Sequence, residues 1–277
     1  MTPDEYCQRK AASSGSSFYY SFLFLPPERR RAITALYAFC REVDDVVDEG
    51  IDPQVAAAKL VWWRNEVANL FAGKAQHPVT RALEPFREEF GLSAERLNEI
   101  IDGMEMDLRQ SRYLDWKGLE GYCYRVASVV GLLAAGIFGY RDGRTLDYAK
   151  NLGIAFQLTN IIRDVGEDAR KNRVYLPMED LQRFGVPAAD ILQAKASPAF
   201  RSLMEFEAER ARGFYERAMS SLPPQDRRAQ RPGLIMAAIY RTLLEEIQRE
   251  GFQVLKQRTS LTPLRKFWIA WKTWVSA

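Results

Sequence analysis

One stretch constrains this chain more than any other: residues 26–49, Pro-Pro-Glu-Arg-Arg-Arg-Ala-Ile-Thr-Ala-Leu-Tyr-Ala-Phe-Cys-Arg-Glu-Val-Asp-Asp-Val-Val-Asp-Glu. Pro26 and Pro27 suit the first turn of a helix, Gly50 suits its end, and no breaker lies between them. Residues three and four apart share a helical face, so Tyr37, Arg41, Asp44 and Asp48 fall on one polar stripe. Ile33, Leu36, Phe39, Cys40, Val43, Val46 and Val47 flank that stripe and leave the helix little surface for water. A polar row between apolar flanks predicts a helix whose stripe faces a cavity inside a bundle.

A second helix, predicted over 145–170, repeats the arrangement. Gly153, Gln157, Asn160, Asp164 and Asp168 follow at steps of 4, 3, 4 and 4, between apolar Leu152, Phe156, Leu158, Ile161, Ile162 and Val165. Four aspartates on two largely buried faces repel one another and lose hydration unless cations neutralise them. Carboxylate and amide oxygens suit a hard divalent cation, Mg²⁺ first, which keeps several waters and bridges to substrate phosphates. A single Asp-x-x-x-Asp is more often a solvated salt-bridging face. Two such stripes with amide or guanidinium neighbours favour a site.

Helical patterns also cover 3–13, 53–72, 79–90, 93–112, 117–139, 178–184, 198–220 and 233–256, with Ser93 as an N-cap, and no strand series or tandem repeat appears. The expected fold class is all-α, a single domain over 1–277. The most linker-like stretch, 221–233, is followed by a helix with Leu234, Ile235, Ala238, Leu243 and Leu244 that belongs to the same bundle. The tail 261–277 interleaves Trp268, Trp271 and Trp274 with Arg265, Lys266 and Lys272, which suits either a docked terminal helix or peripheral contact with the inner face of a membrane.

Other chemistries are excluded or disfavoured. The one histidine, His77, rules out a His-rich metal site or a His-based triad. Cys7, Cys40 and Cys123 have no ligand spacing and suit small core positions in a reducing compartment. A net charge of +3 from nearly balanced acids and bases gives no case for nucleic acid. No basic-then-apolar leader opens the chain, and the apolar run 126–138 is too short to span a bilayer, so the cytoplasm is expected.

Between the helices lie smaller signals. Ser14, Gly15, Ser16 and Ser17 can offer backbone N–H groups to an anion, although such a stretch is more often a turn. Asp102, Glu105 and Asp107 read as surface charge, with support of the site as the alternative. Tyr122, at the polar start of the apolar helix 117–139, can stabilise a carbocation with its ring face or serve as a core tyrosine. Arg170, Lys171 and Arg173 directly follow Asp168 and can close over a bound diphosphate. Together these features suit a substrate with a diphosphate head and a long hydrocarbon tail.

The chain resembles the squalene/phytoene synthase family over nearly its whole length. The resemblance rests on Tyr37-Ala-Phe-Cys-Arg-Glu-Val-Asp-Asp-Val-Val-Asp48, on Tyr122-Cys-Tyr-Arg-Val-Ala-Ser-Val-Val-Gly131, on Leu152-Gly-Ile-Ala-Phe-Gln-Leu-Thr-Asn-Ile-Ile-Arg-Asp-Val-Gly-Glu-Asp168 and on Arg173-Val-Tyr-Leu-Pro177. Residues 14–31 look most like the family's presqualene diphosphate synthases of bacterial hopanoid biosynthesis. The resemblance implies an isoprenoid-synthase-like bundle with a central cavity, in which two farnesyl diphosphates join head to head. It implies Mg²⁺, with Mn²⁺ as a substitute, no NADPH, and hand-over of product to squalene-forming enzymes. Carried onto this chain, Asp44, Asp48, Asn160, Asp164 and Asp168 would bind metal. Ser14, Gly15, Ser16, Ser17, Phe18, Tyr37, Arg41, Gln157, Asn160, Arg163 and Arg173 would contact substrate, and Tyr37, Arg41, Tyr122, Tyr175 and Tyr240 would serve catalysis. Competing expectations are phytoene, dehydrosqualene or reductive squalene synthesis, a terpene cyclase, and a non-catalytic assembly protein on the same fold.

Overall fold

The computed structural model describes residues 1–13, 18–22, 24–48 and 52–276, without the side chains of Tyr19, Tyr20 and Asp48. Its helices are α1 (Pro3–Ser13), α2 (Phe18–Phe22), α3 (Pro27–Asp48), α4 (Pro53–Phe71), α5 (Pro78–Leu83), α6 (Ala94–Arg109) and α7 (Trp116–Cys123). They continue as α8 (Val129–Phe138), α9 (Arg144–Arg170), α10 (Met178–Phe184), α11 (Ala188–Leu192), α12 (Pro198–Ser221), α13 (Arg231–Arg249) and α14 (Pro263–Ser276). Among the described residues the sole β feature is an isolated bridge between Arg112 and Val174.

The expected all-α bundle forms around a central cavity, and α9 is its spine. At 27 residues it is about 40 Å long, and it packs on α7, α8, α12 and α13. One apolar core gathers around α9, α12 and α13; a second lies among α3, α4, α5 and α6. Between them runs the helical stretch Trp116–Phe138, apolar enough by composition to cross a membrane. Its residues instead serve both cores, Leu119, Cys123 and Leu132 the first and Val129, Leu133 and Ile137 the second.

That stretch is broken by a π-helical turn at Tyr124–Ser128, a feature that re-aims the side chains on either side of it. The turn can lie directly on α9 because residue 153 has no side chain. A Cβ on Gly153 would sit 2.5 Å from the Ser128 Cα. The Ser128 hydroxyl completes the contact by donating to the Lys150 carbonyl at 2.7 Å.

Two predicted helices end early. The pattern over 79–90 stops at Leu83 and becomes a 3₁₀ turn at Glu84–Phe86, because Pro85 has no N–H to donate. The pattern over 233–256 begins at Arg231 and ends at Arg249. There Gly251 and Phe252 adopt φ of +70° and +56° and turn the chain back over α9. The short helices α2 and α11 carry too few residues to show a period.

The α9/α12 core contains one ionic group. Arg210 donates to Glu207 at 2.7 Å and forms an ion pair with Asp180 at 2.9 Å, with both carboxylates buried. Burial pushes the Glu207 carboxyl up to about 7, against the pull of Arg210 and with the help of Asp180. A carboxyl raised in the fold contributes stability that is complete below its unfolded value and is lost as pH climbs through the folded one. Wild type should therefore lose stability relative to Glu207→Gln by up to about 1.4 kcal/mol per pH unit between pH 5 and 7. Urea midpoints of both proteins across that range check this, and a constant difference would contradict it.

Candidate active site

The polar stripes of α3 and α9 face one another. Tyr37, Arg41 and Asp44 from α3 and Gly153, Gln157 and Asn160 from α9 line one cavity of about 240 Å³. Its walls are otherwise apolar, with Ile33, Leu36, Val130, Ala134, Leu152 and Met236 among them. Asn160, Asp164 and Asp168 continue one or two turns along α9 into a polar basin of about 630 Å³. Arg41, Asp44, Tyr122, Gln157 and Asn160 border both spaces, so the basin opens directly into the apolar cavity.

The basin is a mixed-charge surface. Its acids are Asp44, Asp107, Asp164, Glu167 and Asp168; its cations are Arg41, Arg163, Arg170, Lys171, Arg173 and Arg258. Arg41 reaches Asp44 at 2.5 Å and Asp45 at 2.7 Å. The Arg163 Nε donates to Asp164 at 2.7 Å, and Arg258 donates to the same carboxylate at 2.8 Å. Asp44 and Asp164 thus each have guanidinium partners within the chain, Arg41 for the first, shared with Asp45, and Arg163 with Arg258 for the second. Burial alone would raise Asp164, but Arg163 and Arg258 hold it below the usual carboxylate range. Asp168 behaves oppositely, pushed up to about 7 by burial and then by Asp164 beside it. One turn of helix thus carries one carboxylate held ionised and one whose charge is poorly supported.

A metal's fit can be read from these oxygens. The Asn160 Oδ1 is buried with no hydrogen-bond partner, an acceptor left over at the border of cavity and basin. The candidate set, Asp44, Asn160, Asp164 and Asp168, is all oxygen, as Mg²⁺ prefers. Among the described residues no three Asp, Glu, His or Cys side chains converge as a ready cage.

Aromatic rings cluster where the two spaces meet. Tyr122 stacks on Tyr175 at 5.3 Å and packs on Tyr113 at 5.5 Å. Their hydroxyls converge on Asp107, Tyr175 at 2.7 Å and Tyr122 at 2.9 Å. Burial, followed by the Asp107 charge, raises both phenols well above their ordinary value, so they stay neutral donors. Also lining the cavity, Tyr240 packs on Phe156 at 4.9 Å, and Phe18 on Tyr37 at 5.6 Å. Burial raises Tyr240 too, against the nearby Arg163 charge.

The predicted site residues Phe18, Tyr37, Arg41, Asp44, Tyr122, Gln157, Asn160 and Tyr240 therefore line the cavity, and Arg163, Asp164, Asp168, Arg173 and Tyr175 line the basin. Ser14, Gly15, Ser16 and Ser17 lie outside the described residues, as does the side chain of Asp48. Asp107 corrects the surface-charge expectation, while Asp102 and Glu105 keep it by pairing with Arg64. Helical spacing carried the signal: Leu97, Ile100, Met104 and Asp107 recur at steps of 3, 4 and 3, and the first three are buried. Arg258 had no such signal, because the reversal at Gly251 and Phe252 brings it to α9.

Comparison with known proteins agrees with this geometry. A family model described as squalene/phytoene synthase matches residues 11–265. The 15-cis-phytoene synthase of Synechocystis sp. is 35% identical over 288 residues, covering 99% of this chain and 85% of that protein. The phytoene synthase of Arthrospira platensis is 36% identical over 278 residues, covering 95% and 89%. Among solved structures, a ligand complex of a dehydrosqualene synthase superposes with a TM-score of 0.88 at 29% identity, over 99% of this chain and 96% of that one. The squalene synthase HpnC from Alicyclobacillus acidocaldarius gives 0.80 at 30% identity, over 90% and 94%.

Proposed function

The chain belongs to the squalene/phytoene synthase family, and from that premise we propose that it joins two farnesyl diphosphates head to head into presqualene diphosphate, acting in the cytoplasm as one catalytic domain over 1–277. The observation that carries this reading is the direct opening of an ionic basin into an aromatic-lined apolar cavity. A diphosphate head fits the first and a prenyl tail the second.

Arg163, Arg173 and Arg258 offer planar, permanently charged donors to diphosphate oxygens. Asp44, Asp48, Asn160, Asp164 and Asp168 would hold Mg²⁺, or Mn²⁺ in its place. When bound, the metal supplies charge neutralisation that favours departure of diphosphate from C1. The chain's own residues then manage the allylic cation. The faces of Tyr122, Phe18, Phe156 and Tyr240 offer it electron density, and the apolar walls keep water from it. The C2–C3 double bond of the second farnesyl diphosphate attacks C1, and loss of a proton closes the cyclopropane. Because burial and Asp107 hold Tyr122 and Tyr175 protonated, we assign that proton to the released diphosphate. Reduction of the cyclopropane with NADPH falls to a separate squalene-forming enzyme.

A second reading takes the longer geranylgeranyl diphosphate to phytoene, and it is favoured by the phytoene synthases at 35% and 36% identity. Incubating the purified protein with each diphosphate and Mg²⁺, with and without NADPH, distinguishes them by mass spectrometry. Presqualene diphosphate accumulating from farnesyl diphosphate regardless of NADPH is the expected result. A C40 hydrocarbon formed only from the longer substrate would establish the second reading, and consumption of neither would reject both.

A further inference from the structure

Helix α14 gives only one face to the bundle. Ala270 is buried there, Ile269 packs on the core, and the Trp274 ring stacks on Phe24 at 5.0 Å with Arg231 over it at 4.9 Å. The opposite face carries Leu264, Phe267, Trp268, Trp271 and Val275, exposed by 84%, 49%, 60%, 45% and 66%. Steps of 3, 1, 3 and 4 place these five on a single stripe, and the Trp268 and Trp271 rings lie 5.2 Å apart. Of the two sequence-based expectations for the tail, the docked helix is seen and the membrane contact is the subject of the proposal below. The helix is docked, and it presents a second apolar face that nothing among the described residues covers.

The surroundings of that stripe are cationic. The last 27 residues contain five Lys and Arg and no acid; of these Arg258 pairs with Asp164 and Arg265 with Glu246, while Lys272 is exposed. Lys272 follows Trp271 at the stripe's edge. Beside the C-terminal end of α14 lies a groove of about 610 Å³ that contains Trp274 and four arginines, Arg29, Arg141, Arg228 and Arg231. The acid among its described residues, Asp226, is already engaged. Its carboxylate accepts the N–H groups of Arg141 and Asp142 at 2.9 and 3.0 Å and the Thr145 hydroxyl at 2.7 Å.

We propose that this face of α14 docks on an anionic phospholipid bilayer, the stripe sinking to the acyl–headgroup boundary while Lys272 and the two exposed groove arginines, Arg141 and Arg228, meet lipid phosphates. An exposed apolar stripe bordered by cations matches such an interface in both hydrophobic and electrostatic terms. A second copy of the chain fits less well, since its own cationic border would meet this one. The placement also joins the docking face to the cavity. Lys266, near the start of α14, lines a space shared with Arg41, Asn160 and Tyr240, and the groove at its other end shares Phe138 and Pro232 with the apolar cavity. Docking would therefore set the cavity against the phase in which prenyl chains dissolve, an advantage that rests on the proposed reaction, whereas the docking itself does not.

The protein of residues 1–277 should be sedimented with vesicles of phosphatidylcholine and with vesicles containing phosphatidylglycerol, without substrate, at low and raised salt. Wild type is expected to pellet with the anionic vesicles, to do so less at raised salt, and to remain largely soluble with the neutral ones. Trp268→Glu with Trp271→Glu should weaken partitioning by at least about tenfold, and Lys272→Glu with Arg228→Glu should weaken it on anionic vesicles, with circular dichroism unchanged in both. Equal binding to both vesicle types, undiminished binding of either double variant, or wild type left in the supernatant would overturn the proposal. A concentration-dependent dimer lost in the tryptophan variant, without vesicle binding, would assign the face to self-association instead. Because no substrate is present, failure of the proposed reaction leaves this result readable.

Discussion

Asp168→Asn and Asp164→Asn should each lower turnover by roughly 10²–10³-fold or more, yet move stability in opposite directions. Both remove a carboxylate from the wall of the basin where diphosphate and metal are proposed to bind. The activity loss follows from removing charge that assists ionisation, and it is common to the two. Their stability effects differ because their surroundings differ. Asp168 is pushed up to about 7 by burial and by Asp164, so its ionised form is a cost to the fold. Its contribution to stability is complete below the unfolded carboxyl value near 4 and is lost as pH rises through the folded one. An asparagine has no such loss, so at pH 8 and in the presence of EDTA the Asp168→Asn protein should be the more stable by about 1 kcal/mol or more. Asp164 is held low by Arg163 and Arg258. Its replacement takes the carboxylate from Arg163 and leaves Arg258 with Glu167, at 3.3 Å, and should destabilise the fold by about 1–3 kcal/mol. Denaturant midpoints measured beside steady-state rates test the pair. Retained activity in both variants would remove the proposed metal site, and equal loss of stability would remove the electrostatic account of the basin.

Gly166→Ala should damage both fold and catalysis although residue 166 contacts no substrate in the proposed reading. Gly166 lies on α9 between Asp164 and Asp168, on the side where the chain returns after α13. A Cβ there would meet the Val254 carbonyl oxygen at 2.5 Å and that of Leu255 at 2.6 Å. Both obstacles are backbone, so relief requires moving the returning segment, which overpacking commonly makes cost about 1–3 kcal/mol. That same segment carries Arg258, whose Nε holds Asp164 at 2.8 Å. The expected signature is a lowered unfolding midpoint together with a raised KM for the diphosphate substrate. A variant with a lowered midpoint and wild-type KM would show that Arg258 keeps its place without this contact.

Local chemistry explains which parts of this molecule were legible beforehand. The stripes of α3 and α9 could be read because helical period is a local property: Tyr37, Arg41 and Asp44 share a face whatever they meet across the cavity. Asp107 obeyed the same rule, continuing the buried row Leu97, Ile100 and Met104, but its functional surroundings depend on Tyr122 and Tyr175, which approach from other elements. Boundaries were read less well where a proline or a left-handed residue ended a helix early, as at Pro85 and Phe252.

By itself the sequence determined the helices, the two acidic faces and the family motifs, since all three reside in spacing along the chain. Tertiary structure alone decided that burial raises Asp168 while Arg258 reaches across to help hold Asp164 low. It also decided that Arg258 joins the basin, that the Trp116–Phe138 stretch serves as a core and cavity wall, and that α14 is docked on one face and exposed on the other. The physical reason is common to them all. Burial and electrostatic partnership depend on distances between residues far apart in the chain, and those distances exist only once α9 has neighbours on every side.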